Sequence, residues 1–529
     1  MSFASWVVIV FIAYFAVLIG IAILRSRQMR NMTDYVLGGR KVGAFTSELS
    51  AGSSASSGWT MLVFPALAFA EGVVHIWTAA ALALGAWLVW TVMGRRLRRY
   101  TIATEDALTL PEFLEKRFLD RTGILRTVSA FITVFFIIFY VSSGLISGAK
   151  LLEVVLDLPP GEFHSQGVLI TLAAITTYTF IGGFLAVSRT DVFQSLIMLS
   201  GFVILPLVLI TMSSDPFRGL ESAGPAFWNP FIDPSGNSIG LVFLLSTAGW
   251  GLGALGSQRV LARLMAVDRE EHIPSSRNIG VSWVALMFGF GVLLGVVAVP
   301  ALADQGMLEQ VMVNPERVYL FASTTFFHPL IAGLLLTAVI AAVMSTADSQ
   351  LLLASAVATD DMPFLKRLAY SIRGQARVWM GRAMLLVVGA IAAALSIFHP
   401  DSVFSLVSLA WGGMGAAFGP VTILALYWRR FNFWGALTSI VVGTAVATLW
   451  WFLPLDAGAT APFQALSFLW EAMKAGQVGL WTIQPATPGF LIATPLAVLV
   501  TLMTSRPARK VVELFDRVNS PVAARYQEA

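Results

Sequence analysis

The chain has 529 residues, of which 57% are apolar and 12% charged, against roughly 25% charged in soluble domains. That composition excludes an ordinary soluble domain and indicates a polytopic membrane protein, built from segments of about 20 apolar residues. The 34 Lys and Arg outnumber the 30 Asp and Glu, and the absence of cysteine excludes structural disulfides and thiolate metal sites.

Thirteen spans are expected, near 5–24, 46–71, 74–94, 124–152, 165–187, 191–213, 237–266, 278–302, 326–357, 378–398, 402–427, 431–453 and 482–503. Several exceed 25 residues, which predicts tilt, kinks or interruption. With the N-terminus outside, 30 of the 34 Lys and Arg fall on the cytoplasmic side, and only Lys150, Arg218, Arg317 and Lys474 do not. A miscounted span would invert every later loop, so this bias supports an N-out, C-in topology. The basic charge thus faces an anionic leaflet rather than nucleic acid.

The first apolar segment lacks a basic start and a small-residue cleavage site and is read as retained. Arg95–Arg99 reads as a membrane-edge anchor. Thr109 is the expected N-cap, and Pro111 the first-turn residue, of a short amphipathic cytoplasmic helix. Residues 454–481 read as an external loop with a helix-like centre at 463–474, and 504–529 as a cytoplasmic tail. Residues 1–503 then form one membrane domain.

Residues 50–59, Ser-Ala-Gly-Ser-Ser-Ala-Ser-Ser-Gly-Trp, sit inside the second span. Small residues let helices approach closely, glycine loosens a helix, and hydroxyls offer oxygen ligands. A broken, oxygen-rich helix at membrane depth is tolerated only where it lines a buried or watered cavity, and in transporters such helices hold substrate and coupling ion. The plainer alternative is a close helix contact with serines bonded back to their own helix. In the fourth span Tyr140, Ser142 and Ser143 make a polar stripe, which alone reads more readily as an interhelical hydrogen-bond seam. Gly182-Gly183 predict a close contact or bend before Asp191, itself either an N-terminal helix charge or an ion ligand.

Trp250-Gly251-Leu252-Gly253-Ala254-Leu255-Gly256 predicts either an opened seventh span or tight packing, and Trp411-Gly412-Gly413-Met414-Gly415 a similar interruption of the eleventh. In the ninth span Ser345, Asp348 and Ser349 stand at i, i+3 and i+4 and share a helix face, with Ala342 and Thr346 on the adjoining strip. A carboxylate inside a span marks function by default; the alternative is that Asp348 caps a short helix or pairs with a neighbour. Hydroxyls and backbone carbonyls are ligands for a hard cation. Neutral oxygens suit sodium better than a proton, and His75, His164, His272, His328 and His399 all fall near span ends. A proton carried by Asp348 or Asp191 is the alternative coupling.

These motifs carry a resemblance. Tyr35-Val36-Leu37-Gly38-Gly39-Arg40, Ser50-Ala51-Gly52 with Ser57-Gly58-Trp59, and Ala107-Leu108-Thr109-Leu110-Pro111 match the sodium/solute symporters, most closely the bacterial sodium/proline symporters. So do Tyr178–Val187 with Thr190-Asp191, Trp250–Gly253, Met344-Ser345-Thr346 and Gly415–Pro420, and the likeness covers roughly residues 5–453. It implies an all-α fold of the LeuT type in a bacterial plasma membrane, with inverted five-helix repeats at about 46–213 and 237–427. It implies a sodium site of carbonyls at Ser53, Ser56 and Ala342 and hydroxyls of Ser345 and Thr346. The substrate region maps onto Ser57, Gly58, Trp59, Tyr140, Trp250 and Ala254. A second sodium position, used by sialic-acid members, maps onto Asp191, Ser345, Asp348 and Ser349.

Three departures stand out. Sodium/proline symporters carry aspartate where this chain has Ala55, tyrosine where it has Ala254, and Gln-Pro-His where it has Ser257-Gln258-Arg259. The expected function is sodium-coupled import of a small organic solute, with proline or a related amino acid first and another organic solute the alternative. Asp348 is expected to supply the negative charge missing at Ala55. A solute-sensing receptor is the rival class, which the short tail argues against. An enzyme is disfavoured by the lack of paired histidines, His-Glu-x-x-His or Gly-x-Ser-x-Gly, and a passive channel by so many interrupted helices around one centre.

Overall fold

The computed structural model describes residues 3–26, 44–104, 107, 109–213, 225–233, 236–267, 269–371, 375–399, 402–452 and 483–519. The Tyr35–Arg40 motif, the 463–474 centre of the external loop and the end of the tail lie outside the described residues. The chain runs α1 (Phe3–Ser26), α2 (Ala44–Ala55), a π-helical turn Trp59–Val63, α3 (Phe64–Glu71), α4 (Ile76–Leu88), α5 (Gly94–Ala103) and α6 (Leu110–Phe118). Then come α7 (Ile124–Val155), α8 (His164–Met212), α9 (Leu241–Gly256), α10 (Gln258–Ala266), α11 (Ile273–Asp304), α12 (Leu308–Val313) and α13 (Val318–Phe326). The series ends with α14 (Pro329–Asp361), α15 (Pro363–Ser371), α16 (Gln375–Phe398), α17 (Val403–Tyr427), α18 (Phe433–Phe452), α19 (Ala486–Met503) and α20 (Arg509–Asn519). Among the described residues no strand forms beyond an isolated bridge between Ile232 and Ser238.

Among the described residues ten helices are long and apolar enough to cross a bilayer, and Trp59–Glu71 and Leu241–Gly256 are shorter apolar helices. That number does not itself give the expected thirteen, because three segments are broken. The 49-residue α8 is two helices across Gly183, whose φ of 57° and ψ of −162° lie in a region essentially reserved for glycine. The segment 44–71 opens at Ser56 and Ser57, where Ser54 Oγ donates to Ser50 O at 2.7 Å and Ser56 Oγ to Gly52 O at 3.2 Å. Such back-bonding competes with the helical ladder. α9 and α10 are separated at Ser257, whose ψ of 106° is extended.

The most enclosed helices are α14 and α17. α14 packs on α1, α7, α8 and α16, whereas α17 packs on α7, α9, α18 and α19. The expected interruption of the eleventh span does not occur: α17 is one continuous helix. Its glycines serve close packing instead. A Cβ at Gly415 would stand 2.6 Å from Gly253 Cα, and one at Gly253 would stand 2.0 Å from Trp411 Nε1. Small residues in membrane helices let backbones meet in this way.

On the expected cytoplasmic side Thr109 caps α6, its Oγ1 accepting from Glu112 N at 3.2 Å, and it also donates to Asp361 Oδ2 at 2.7 Å. Arg126 joins this cluster through Asp361 at 2.5 Å and Glu115 at 2.6 Å, tying α6 and α7 to the end of α14. Arg99 pairs with Glu270 at 2.7 Å, and the Arg96 guanidinium lies 3.9 Å from the Tyr427 ring centroid.

Candidate functional site

Where the break after α2 meets the middle of α14, oxygens converge. Ser345 Oγ lies 3.3 Å from both Ser53 O and Ala342 O. Thr346 Oγ1 lies 3.1 Å from Ser54 O and 3.2 Å from Ser56 O. The break at Ser56 and Ser57 is what turns carbonyls of α2 outward, because a continuous helix would consume them within its own ladder. All five residues mapped onto a sodium site, Ser53, Ser56, Ala342, Ser345 and Thr346, therefore meet at one crossing, with Ser54 an addition to the set. The oxygens are neutral and buried. Among the described residues no group of three or more His, Cys, Asp or Glu is placed to hold a metal ion, and the hydroxyls and carbonyls at the crossing are hard donors.

Two carboxyls, Asp191 and Asp348, lie in the same bundle, and both are buried. Asp348 stands in the middle of α14, so it is not a helix cap; Tyr178 Oη donates to its Oδ2. Asp191 lies within the second half of α8, eight residues past the Gly183 break, where Ser50 Oγ donates to its Oδ2 at 2.5 Å. Arg263 Nη2 is 3.5 Å from that same oxygen and donates to Ser50 Oγ at 3.1 Å and Ser349 Oγ at 3.0 Å. The four residues of the second sodium position are thus split. Asp191 and Ser349 share a guanidinium, Ser345 faces the oxygens of α2, and Asp348 belongs to Tyr178. Oδ1 of Asp191 and Oδ1 of Asp348 have no hydrogen-bond partner among the described residues.

Beside the crossing is a cavity lined by Ala55, Trp59, Tyr140, Trp250, Ala254 and Trp411, with further apolar side chains around them. The Trp59 and Trp250 rings stack at 4.7 Å and 16°, Phe288 packs on Trp59 at 5.5 Å, and Trp411 Nε1 donates to Trp250 O at 2.8 Å. Among the described residues lining it none carries a charge. Four of the six substrate-region residues, Trp59, Tyr140, Trp250 and Ala254, line this cavity. Ser57 is linked to it through Tyr140, whose Oη lies 3.5 Å from Ser57 Oγ. Gly58 instead backs onto α7 and α14: a Cβ there would stand 2.4 Å from Ser147 Oγ and 3.1 Å from Val343 Cγ2. Ser142 forms the expected interhelical seam by donating to Ala392 O at 2.8 Å, and Ser143 bonds within its own helix.

The sequence reading missed Arg259 and Arg263, reckoning them with cytoplasmic loop charges. Both are buried, on successive turns of α10. Two arginines four residues apart inside an apolar segment were the available signal, since charges there face the bundle interior. Two of the positions that depart from the sodium/proline pattern, Ala55 and Ala254, line the cavity together, and the third run ends in Arg259, which packs against the lining rings of Tyr140 and Trp411.

The sequence pattern of the Sodium:solute symporter family matches residues 35–443. The chain is 34% identical to the osmoregulated proline transporter OpuE of Bacillus subtilis over 507 residues, 95% of this chain and 96% of that protein. It is 34% identical to the sodium/proline symporter of Escherichia coli over 525 residues, 98% and 97% of the two chains. In fold it is similar to a solved substrate-bound outward-open state of a Na+-coupled sialic acid symporter, with a TM-score of 0.72 at 18% identity over 93% of this chain and 97% of that one. Mhp1, a nucleobase-cation-symport-1 family transporter solved in a closed conformation, matches with a TM-score of 0.51 at 13% identity over 92% and 98% of the chains. The sequence pattern spans most of the chain and the relatives are a third identical nearly end to end: the chain belongs to the sodium:solute symporter family.

Proposed function

We propose that this symporter draws a small organic solute into the cell on the sodium gradient, with L-proline or a related amino acid as the first solute to try. The observation that carries the reading is the meeting of Ser345 and Thr346 hydroxyls with α2 carbonyls at 3.1–3.3 Å, beside an aromatic cavity. Sodium bound there ties the broken helix to α14, and solute in the cavity contacts the same break. Each then favours the other's binding, and the coupling is reciprocal. The relatives' names support proline.

The site assignment is one sodium at Ser53, Ser56, Ala342, Ser345 and Thr346, with the Asp348 carboxyl one turn further along α14 as the nearby negative charge. Arg263 already puts a cation between Asp191 and Ser349. For that reason a second sodium through Asp191, Asp348 and Ser349 is the lesser reading, and it requires Arg263 to move. Counting the broken segments 44–71 and 241–266 as one crossing each, and α8 as two, gives thirteen crossings in the bilayer. The repeats would be 46–213 and 237–427, each opening with an interrupted helix. The basic loops support an N-terminus outside and a C-terminal tail in the cytoplasm.

Sodium-driven uptake of radiolabelled L-proline and a panel of amino acids and sugars into proteoliposomes tests the reading. A sodium gradient should drive accumulation that collapses when potassium replaces sodium. Uptake that follows a proton gradient and ignores sodium overturns it, and solute binding without counterflow would instead indicate a receptor.

A further inference from the structure

Arg259 is not accounted for by the sodium site. It is buried, and its guanidinium carbon lies 4.7 Å from the Tyr140 ring centroid and 5.4 Å from that of Trp411, two rings that line the cavity. The next residue, Val260, lines the cavity too. Nη2 donates to Tyr140 Oη at 3.2 Å, while Nε and Nη1 have no hydrogen-bond partner among the described residues. No carboxylate among them pairs with this guanidinium, in contrast to Arg263 and Arg126.

A buried guanidinium with two N–H-bearing nitrogens unmatched is expensive, and folded proteins leave few such groups without a partner. Stacking on two rings holds its plane but satisfies no N–H. Nε and Nη1 lie on different edges of the guanidinium, each shared with Nη2, so a planar carboxylate would take one unmatched N–H together with the second N–H of Nη2. The rest of the cavity offers nothing that would bind a solute's charge: its lining is apolar and aromatic, and alanine stands at 55. The charge balance therefore favours a solute that brings a negative group with it.

We infer that Arg259 is the specificity-determining residue for the solute's carboxylate, so that the transporter selects small carboxylates with an apolar or ring body and rejects their amides. This rests on the solute binding in the cavity proposed above. The amine contributes less: the residues lining the cavity include no acid to receive an ammonium, so a carboxylate lacking the amine should compete well. Tyr140 acts alongside, its hydroxyl bridging Arg259 and Ser57 and so linking the carboxylate to the break that shapes the sodium site.

The test is competition against the binding or uptake of labelled L-proline, measured in sodium and in potassium, using the wild-type protein and carboxylate–amide pairs: L-proline with L-prolinamide, cyclopentanecarboxylate with its amide, and benzoate with benzamide. At least one carboxylate should outbind its amide by about 10- to 100-fold, the range expected for a lost hydrogen bond to a charged group. R259Q should raise the KM for the preferred carboxylate by a similar factor while leaving the sodium concentration for half-maximal stabilisation unchanged, and R259K should lie between. Thermal stabilisation by sodium in detergent shows whether each variant is folded; if R259Q is not, the wild-type pairs still decide. A panel in which no carboxylate outbinds its amide overturns the assignment, as does a folded R259Q with wild-type KM. Sodium-driven uptake without carboxylate selection leaves the transport reading standing and removes this one. Selection without any sodium response does the reverse.

Discussion

Removing the Thr346 hydroxyl should weaken sodium binding without unfolding the transporter. Thr346 Oγ1 sits 3.1 Å and 3.2 Å from two carbonyls that the break in the second span frees, and Ser345 Oγ sits 3.3 Å from two others. T346A deletes one donor oxygen to the ion together with the γ-methyl, so T346V, which keeps both γ positions filled, is the packing control. A contact to a charged partner contributes roughly 1.5–3 kcal/mol, or about 10- to 150-fold in sodium affinity. S345A should do the same. The double variant should fall short of the sum, since both hydroxyls share one ion and one carbonyl cluster. T346S retains the oxygen and should stay near wild type. The readout is thermal stability in detergent as sodium is titrated, where saturation at about 100 times the dissociation constant stabilises by about 2.7 kcal/mol. T346A should melt near wild type without sodium, and its titration curve should move to higher concentration. A curve that stays in place, with the variant folded, refutes the sodium site at this crossing.

Asp348→Asn should lower sodium affinity, and an unchanged titration would leave Asp348 as a partner of Tyr178 alone. Gly256→Ala would put a Cβ 2.0 Å from Met414 O and should abolish a stable fold in detergent, whereas Gly289→Ala meets nothing within 4 Å and should be neutral or stabilising, by up to about 1 kcal/mol. Glu153→Gln leaves the buried Arg317, paired at 2.9 Å, without its counter-charge and should cost roughly 3–5 kcal/mol in a denaturation assay. On the tail, a hydrogen bond from Arg429 holds the exposed Asp516 carboxyl below its ordinary value. The pair's contribution should therefore be present at neutral pH and fade as pH falls through that depressed value, and D516N should remove this dependence from the melting curve.

Much of this was legible in the residues. The apolar runs, the basic loops and the Thr109 cap depend on local composition and spacing, and the run at 50–59 carried its break in its own serines and glycines. The pairing of that break with 342–349 came from the resemblance, and the structure brings the two within hydrogen-bond distance. Glycine was harder to read. At Gly183 it opens a helix, and at Gly412, Gly413 and Gly415 it only lets neighbours approach, because a missing Cβ serves either end and the neighbour decides which.

The sequence by itself determined the class, the family and the break at 50–59, because hydropathy, charge bias and small-residue runs are properties of consecutive residues. Only the tertiary structure decided where the charges go. Arg263 lies between Asp191 and Ser349, and Arg259 lies against Tyr140 and Trp411, with partners between 72 and 152 residues away in the chain. No spacing rule reaches that far, and in a low-dielectric bundle the partner of a buried charge sets what the site can bind.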